Sequence, residues 1–273
     1  MGAIRFDRVN KFFGPKKAGL KVLEDINLDI AEKEFVAIVG PSGCGKTTCL
    51  RIVAGFEKPS TGTVVVNNRQ VTEPGPDRAV VFQHFALFPW KTVRQNIDLG
   101  LRNKGLSREE REELIAGALE LMGLESHADA FPHQLSGGMQ QRVAIARAYV
   151  LKPEVLLMDE PFGALDAQTR VVMQEELVRL ARINPRTVLF ITHSVEEAVY
   201  LADRVVIMTR RPGRIKESID IKSIREAENW SRFSKIEDVM DQESFVRLRT
   251  QIWKSLREEK HESRGADTST HKN

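Results

Sequence analysis

FVAIVGPSGCGKTT occupies residues 35–48. The apolar run up to Gly40 has the composition of a strand buried on both faces of a parallel sheet. From Gly40 the segment matches G-x-x-x-x-G-K-[ST], with Gly40, Gly45, Lys46 and Thr47 in the fixed places. A helix is predicted to follow through Leu50 and Ile52 to Gly55, so the motif lies in the strand–loop–helix setting it needs. Its glycines let backbone N–H groups turn inward around phosphate oxygens, Lys46 reaches the β- and γ-phosphates, and the Thr47 hydroxyl can hold Mg²⁺. The expected nucleotide cradle is therefore Gly40, Pro41, Ser42, Gly43, Cys44, Gly45, Lys46, Thr47 and Thr48. A dinucleotide fingerprint is excluded, because Thr48 stands where its last glycine belongs.

Outward from this loop the chain alternates. Ile26, Leu28 and Ile30 recur with period two before it. TGTVVVNNRQV (61–71) reads as a strand, an Asn-Asn turn and a short strand, and AVVFQ (79–83) as a buried strand ending at Gln83. Residues 92–150 read as helical, with Ser107 and Glu110 forming a capping box and Gly123 closing that helix. Strand character returns in VLLMD (155–159), TVLFITH (187–193) and RVVIM (204–208). Strands alternating with helices imply a parallel α/β sheet carrying a helical insertion. From about 215 the chain is strongly charged, and FVRLRTQIWKSL (245–256) reads as an amphipathic helix capped by Asp241. After 258 the polar composition predicts disorder.

The composition excludes several classes. The 273 residues are 29% charged and 41% hydrophobic with net charge +3, too balanced to argue for a nucleic-acid partner. No apolar run approaches the ~18 residues of a membrane span. The start MGAIRF lacks the apolar stretch of a secretory signal, and Phe6 stands where myristoylation needs Ser or Thr. Cys44 and Cys49 suggest no disulfide framework and the six histidines no metal spacing. A cytosolic chain is expected.

Two carboxylates close the strand VLLMDE (155–160). Asp159 is expected in the Mg²⁺ shell, and Glu160 is the candidate base for an attacking water, against the plainer reading of a solvated strand end. His193 closes the next strand where ligands bind in such sheets, and is expected to hydrogen-bond the γ-phosphate. Gln83 reads either as a contact to the metal or attacking water or as an ordinary strand end. In LSGGMQQR (135–142), Ser136 caps a helix whose entrance holds Gly137 and Gly138. A glycine there costs roughly 1 kcal/mol against alanine, which points to a close approach, and helix N-termini suit phosphate.

The phosphate loop, Gln83, LSGGMQQR, VLLMDEP, GALD (163–166) and THS (192–194), in this order, resemble the nucleotide-binding subunit of ABC transporters over roughly residues 4–215. The resemblance implies a P-loop NTPase fold: an α/β core with a RecA-like parallel sheet, an N-terminal antiparallel β subdomain and an inserted α-helical subdomain. The corresponding boundaries are 1–91 with 151–215 for the ATP-binding core, 92–150 for the helical part carrying LSGG, and 216–273 for a charged tail. It implies ATP with Mg²⁺, the metal ligands being Thr47, Gln83 and Asp159.

It also implies head-to-tail packing with a second copy or a homologous cassette. Ser136, Gly137 and Gly138 would then contact the γ-phosphate bound by the partner, and Asp166 would communicate across that interface. Phe13 matches the adenine-stacking aromatic, where tyrosine is more usual; a core aromatic is the alternative. Met139 replaces the commoner signature glutamine and Gly163 a frequent serine.

HFALFPWKTVRQNI (84–97) offers Phe85, Phe88, Pro89 and Trp90 as a surface for membrane subunits, unless these residues are core. EPGPDRAVVFQHFALFPW (73–90) and THSVEEAVYLADRVVIMTRRPGRI (192–215) look most like the nitrate, sulfonate and taurine importers. Transmembrane permease subunits and an extracytoplasmic substrate-binding protein are the implied partners, with no nucleic acid, and the implied location is peripheral, on the cytoplasmic face of the inner cell membrane. The alternatives are a soluble ABC-type ATPase acting on nucleic acid or a protein, and a P-loop kinase, which leaves LSGG unexplained.

Overall fold

The structure, a computed structural model, describes residues 3–14, 19–233 and 235–267, with side chains described as far as Glu259. In chain order the elements are β1 (Ile4–Phe13), β2 (Leu20–Ile30), β3 (Phe35–Val39), α1 (Lys46–Ala54), β4 (Thr61–Val66), β5 (Arg69–Gln70) and β6 (Arg78–Val81). There follow α2 (Val93–Asp98), α3 (Arg108–Met122), α4 (Gly137–Tyr149), β7 (Val155–Asp159), α5 (Ala167–Ile183), β8 (Thr187–Ile191), α6 (Val195–Leu201) and β9 (Arg204–Met208). The chain ends in β10 (Ile215–Asp220), α7 (Lys222–Ala227), α8 (Ile236–Met240) and α9 (Glu243–Asp267). They fall into two compact units, residues 1–74 with 187–273 and residues 75–186.

The first unit holds two sheets. In one, β2, β1, β4 and β5 are antiparallel neighbours in that order. In the other, β3 lies between β8 and β9 and is parallel to both, with Phe35 opposite Val188 and Val36 opposite Arg204. Every residue of β3 and β8 is buried, as the unbroken apolar runs require. Each Val, Leu, Ile and Phe among them contributes about 1.5–3 kcal/mol on burial. α1 packs on β8, and α6 packs on β3 and β9.

In the second unit β6 pairs with β7 in parallel, Arg78 opposite Val155 and Val81 opposite Met158. α4 is the hub of this unit, touching β6, α2, α3 and α5, and Val143, Ala144, Ile145 and Ala148 along it are buried. α3 starts where its capping box lies: Ser107 Oγ accepts from Glu110 N at 3.1 Å, the Glu110 carboxylate accepts from Ser107 N at 2.7 Å, and Gly123 closes the helix in the left-handed region. The segment between α3 and α4 is built of 3-10 turns rather than continuous helix.

The C-terminal part departs from expectation. IKESID (215–220) forms β10, an antiparallel edge strand on β9, and two short helices follow. Asp241 closes α8 rather than capping the last helix. The first turn of α9 hangs instead on Gln242, whose carbonyl accepts from Val246 N at 3.0 Å. Nor does the chain become irregular after 258: α9 continues to Asp267, through Lys, Glu and Arg residues that are good helix formers. The disorder expected at 268–273 lies outside the described residues.

Candidate functional site

In the first unit the phosphate loop leaves β3 at Gly40 and enters α1 at Lys46. Gly45 caps the helix with φ 104°, and a Cβ there would lie 2.5 Å from Leu23 Cδ2, so both conformation and space demand glycine. Lys46 is 7% exposed, and its Nζ donates to Gly40 O at 2.8 Å and Pro41 O at 3.2 Å. An ammonium held by neutral carbonyls and a thiol is poised to take a stronger, anionic acceptor. Around it Ser42, Gly43 and Thr47 are exposed, Pro41 and Thr48 half-buried. Cys44 and Cys49 are free and buried, and burial pushes both thiols up. Cys44 Sγ lies 4.0 Å from Lys46 Nζ.

Phe13 ends β1 and is 42% exposed, which removes the core reading; Lys11 Nζ sits 4.8 Å from its ring centroid. β8 stops at Ile191, so His193 is two residues past the strand and exposed. The Thr192 hydroxyl donates to Glu197 at 2.5 Å, and Ser194 caps α6, fixing the backbone on both sides of the histidine.

In the second unit Asp159 is the last residue of β7, half-buried, and Glu160 follows it outside the strand. Glu160 has φ 45°, a left-handed backbone that costs a non-glycine residue about 1–3 kcal/mol. Such strain persists where the surroundings over-determine it, and clusters at functional positions. Gln83 is two residues past the end of β6, not its last residue, and is exposed; its Nε2 donates to Glu160 Oε2 at 3.5 Å. Gly163 N donates to Glu160 O at 3.1 Å. The carboxylate and the glutamine are thus brought together.

α4 begins as its sequence indicates. Ser136 caps it, its Oγ accepting from Met139 N at 3.3 Å, and Ser136 and Gly137 are exposed. Gly138 is different: it is buried, and a Cβ there would overlap the Thr169 methyl of α5. Asp166 caps α5 by accepting from Thr169 N at 3.0 Å. Hydrogen bonds from Thr169 hold its carboxyl below the usual range. The cap is therefore complete above the ordinary carboxylate pKa and is lost only as pH falls through the lowered value. So Thr169 joins the signature helix to Asp166. Gly138→Ala is expected to cost about 1–3 kcal/mol in urea unfolding by overpacking, and Thr169→Ala in the same chain to restore most of it.

Sequence reasoning missed Asn96. It is fully buried on α2 and grips the preceding loop: its Oδ1 accepts from Phe88 N at 2.9 Å, and its Nδ2 donates to Phe88 O at 3.2 Å and Lys91 O at 3.0 Å. Arg147 of α4 donates to Phe85 O and Ala86 O. Phe85 and Phe88 are half-buried and Pro89 is exposed; Trp90 is 69% exposed, its ring edge-on to Phe88 at 5.6 Å. An amide directly before Ile97 on the buried face of α2 was the available signal.

Among the described residues no group of three or more His, Cys, Asp or Glu could hold a metal ion, and no helix is long and apolar enough to cross a membrane.

The chain has clear relatives. The sequence profile described as "ABC transporter" matches residues 23–163. An uncharacterized ABC transporter ATP-binding protein of Methanocaldococcus jannaschii is 51% identical over 80% of this chain and 82% of its own. The nitrate import ATP-binding protein NrtD of Synechocystis sp. is 48% identical over 78% of this chain and 80% of its own. Among solved structures, the dimeric post-hydrolysis state of the ATP-binding cassette MJ0796, bound to ADP and Pi, superposes with TM-score 0.70 at 33% identity, over 80% of this chain and 98% of that one.

Proposed function

The chain belongs to the ABC transporter family as an ATP-binding cassette, and from that premise we propose that it hydrolyses ATP to drive import of a small anion through separate membrane permease subunits. The observation that carries the ATPase assignment is Glu160, a carboxylate held in a strained backbone beside Gln83. The relatedness to nitrate import ATP-binding proteins supports the anion class.

In this reading Lys46 leaves the two loop carbonyls for the β- and γ-phosphates, and Phe13, already exposed at its strand end, stacks on adenine. Glu160 accepts a proton from the attacking water, which bonds to the γ-phosphorus as the bond to the ADP oxygen breaks. Gln83 orients that water, and His193 hydrogen-bonds a γ-phosphate oxygen. Thr47, Gln83 and Asp159 all offer hard oxygen donors of the kind Mg²⁺ takes, and Mg²⁺ when bound neutralises charge on the phosphate oxygens. Ser136 and Gly137 of one copy, both exposed, face the nucleotide of the other, with Gly138 reaching it through backbone alone, so each copy carries half of each site. The helical part, 92–150, bears that signature, and Trp90 on its pinned loop supplies an apolar contact for a permease.

The test is a tagged pull-down from native membranes in mild detergent, with each co-purifying chain identified by mass spectrometry. A stoichiometric polytopic permease is expected. Its companion binding protein can then be titrated with nitrate, taurine and alkanesulfonates. Recovery of soluble partners or nucleic acid alone would overturn the transport assignment and leave the ATP site standing.

A further inference from the structure

The loop between β9 and β10, residues 209–214, is bound more tightly than a surface connection needs to be. The Thr209 hydroxyl donates to Pro212 O at 3.1 Å and accepts from Arg214 N at 2.9 Å, closing the loop on itself. Gly213 N donates to Val22 O at 2.8 Å, and its carbonyl accepts from Glu24 N at 2.9 Å, which fastens the loop to β2. From this base the loop reaches in two directions. Arg211 Nε donates to Gly43 O at 3.2 Å, inside the phosphate loop. On the other side Arg210 N donates to Glu259 Oε2 of α9 at 3.1 Å. Glu259 is 9% exposed, and its other oxygen pairs with Lys216 Nζ at 3.1 Å, so its position is fixed from both sides.

We propose that Arg211 is a positioning residue for the phosphate loop and that Glu259 of the C-terminal helix holds it in place. The proposal rests on the assignment of residues 40–48 as the nucleotide cradle. Gly43 has φ 75°, a left-handed backbone that glycine adopts without strain and that turns the chain sharply within the loop. Holding that carbonyl from outside keeps the neighbouring N–H groups turned inward, the arrangement a phosphate needs. Arg211 acts through Gly43 and does not touch the nucleotide. Glu259 acts one residue further back, by fixing the backbone from which Arg211 extends. α9 therefore does more than cover the sheet: its hold on one N–H group sets how firmly the loop is preorganised, and with it the nucleotide affinity.

The experiment is titration of the full chain with fluorescent ATP and ADP analogues, beside calorimetric melting, for Arg211→Ala, Arg211→Lys, Glu259→Ala, Glu259→Gln and the Arg211→Ala/Glu259→Ala pair. Arg211→Ala and Glu259→Ala are each expected to weaken both nucleotides equally, by about three- to tenfold, the scale of one lost hydrogen bond. The double variant is expected to be no weaker than Arg211→Ala alone, because both changes release the same loop. Arg211→Lys keeps a donor for Gly43 and Glu259→Gln an acceptor for Arg210 N–H, so both recover most of the affinity. Loss confined to ATP would mean that Arg211 touches the γ-phosphate, and multiplying effects would mean that the two residues are independent; either result overturns the proposal. Unchanged affinity in both alanine variants, with a wild-type chain that binds, overturns this inference alone. A wild-type chain that binds neither nucleotide overturns it together with the assignment of the phosphate loop.

Discussion

Glu160→Gln is expected to lower the ATP turnover rate by about a thousandfold while leaving ATP affinity within a factor of three, since a positioned general base contributes roughly 10²–10⁴. The substitution keeps the size of the side chain and an oxygen to accept from Gln83, so the geometry of the pair survives. What it removes is the ability to take a proton. ATP then stays bound after the two copies close on it, and light scattering with MgATP is expected to report a dimer where the wild type cycles back to monomer. Unaltered turnover would show that Glu160 is not the base. A variant that is inactive yet monomeric at high concentration would instead overturn the shared site, because nothing else in the proposed cycle separates the copies.

Lys46→Ala is expected to reduce ATP affinity by at least about a hundredfold, since each hydrogen bond to a charged phosphate contributes about 1.5–3 kcal/mol. The ammonium is nearly buried and its Nζ donates to neutral loop groups, the Gly40 and Pro41 carbonyls and Cys44 Sγ, so its removal is not expected to unfold the loop. Taking an almost desolvated cation out of neutral surroundings leaves stability unchanged or raises it. Calorimetric titration with ATP, beside a thermal melt, separates the two effects. An affinity within threefold of wild type would contradict the assignment of the phosphate loop, whatever the melt shows.

How far these residues could be read without coordinates depended on whether their partners were local. The phosphate loop, the Ser107–Glu110 box and the Ser136 cap are each complete within a few residues, and each was legible in the sequence. The buried strands β3, β7 and β8 were equally legible, because burial on both faces leaves an unbroken apolar run. β10 was not. IKESID is paired on one side only and carries charges on an exposed face, so its strand character comes from β9 rather than from its own composition.

Distance in sequence hid the rest. Asp241 looked like a helix start because an acidic residue before an apolar period normally is one, and only the helix before it reveals that it is an end. Asn96 and Arg147 hold a loop through backbone carbonyls, which no side-chain pattern announces. The glycine pair raised the right question and received two answers. A Cβ on Gly137 would meet only an ordinary contact with Leu165 at 3.7 Å, whereas the close approach demanded of Gly138 is to Thr169, thirty-one residues away. The left-handed backbone of Glu160 could not be inferred, since glutamate has no preference for it.

That backbone has a consequence for anyone evolving this protein. Glycine or asparagine at position 160 would adopt φ 45° with less strain, so a laboratory selection for heat resistance alone should favour their appearance there. The winners would be sturdier chains that no longer turn over ATP. With the role proposed for Glu160, ruggedness and throughput compete at a single residue, and a screen must reward both to keep the glutamate.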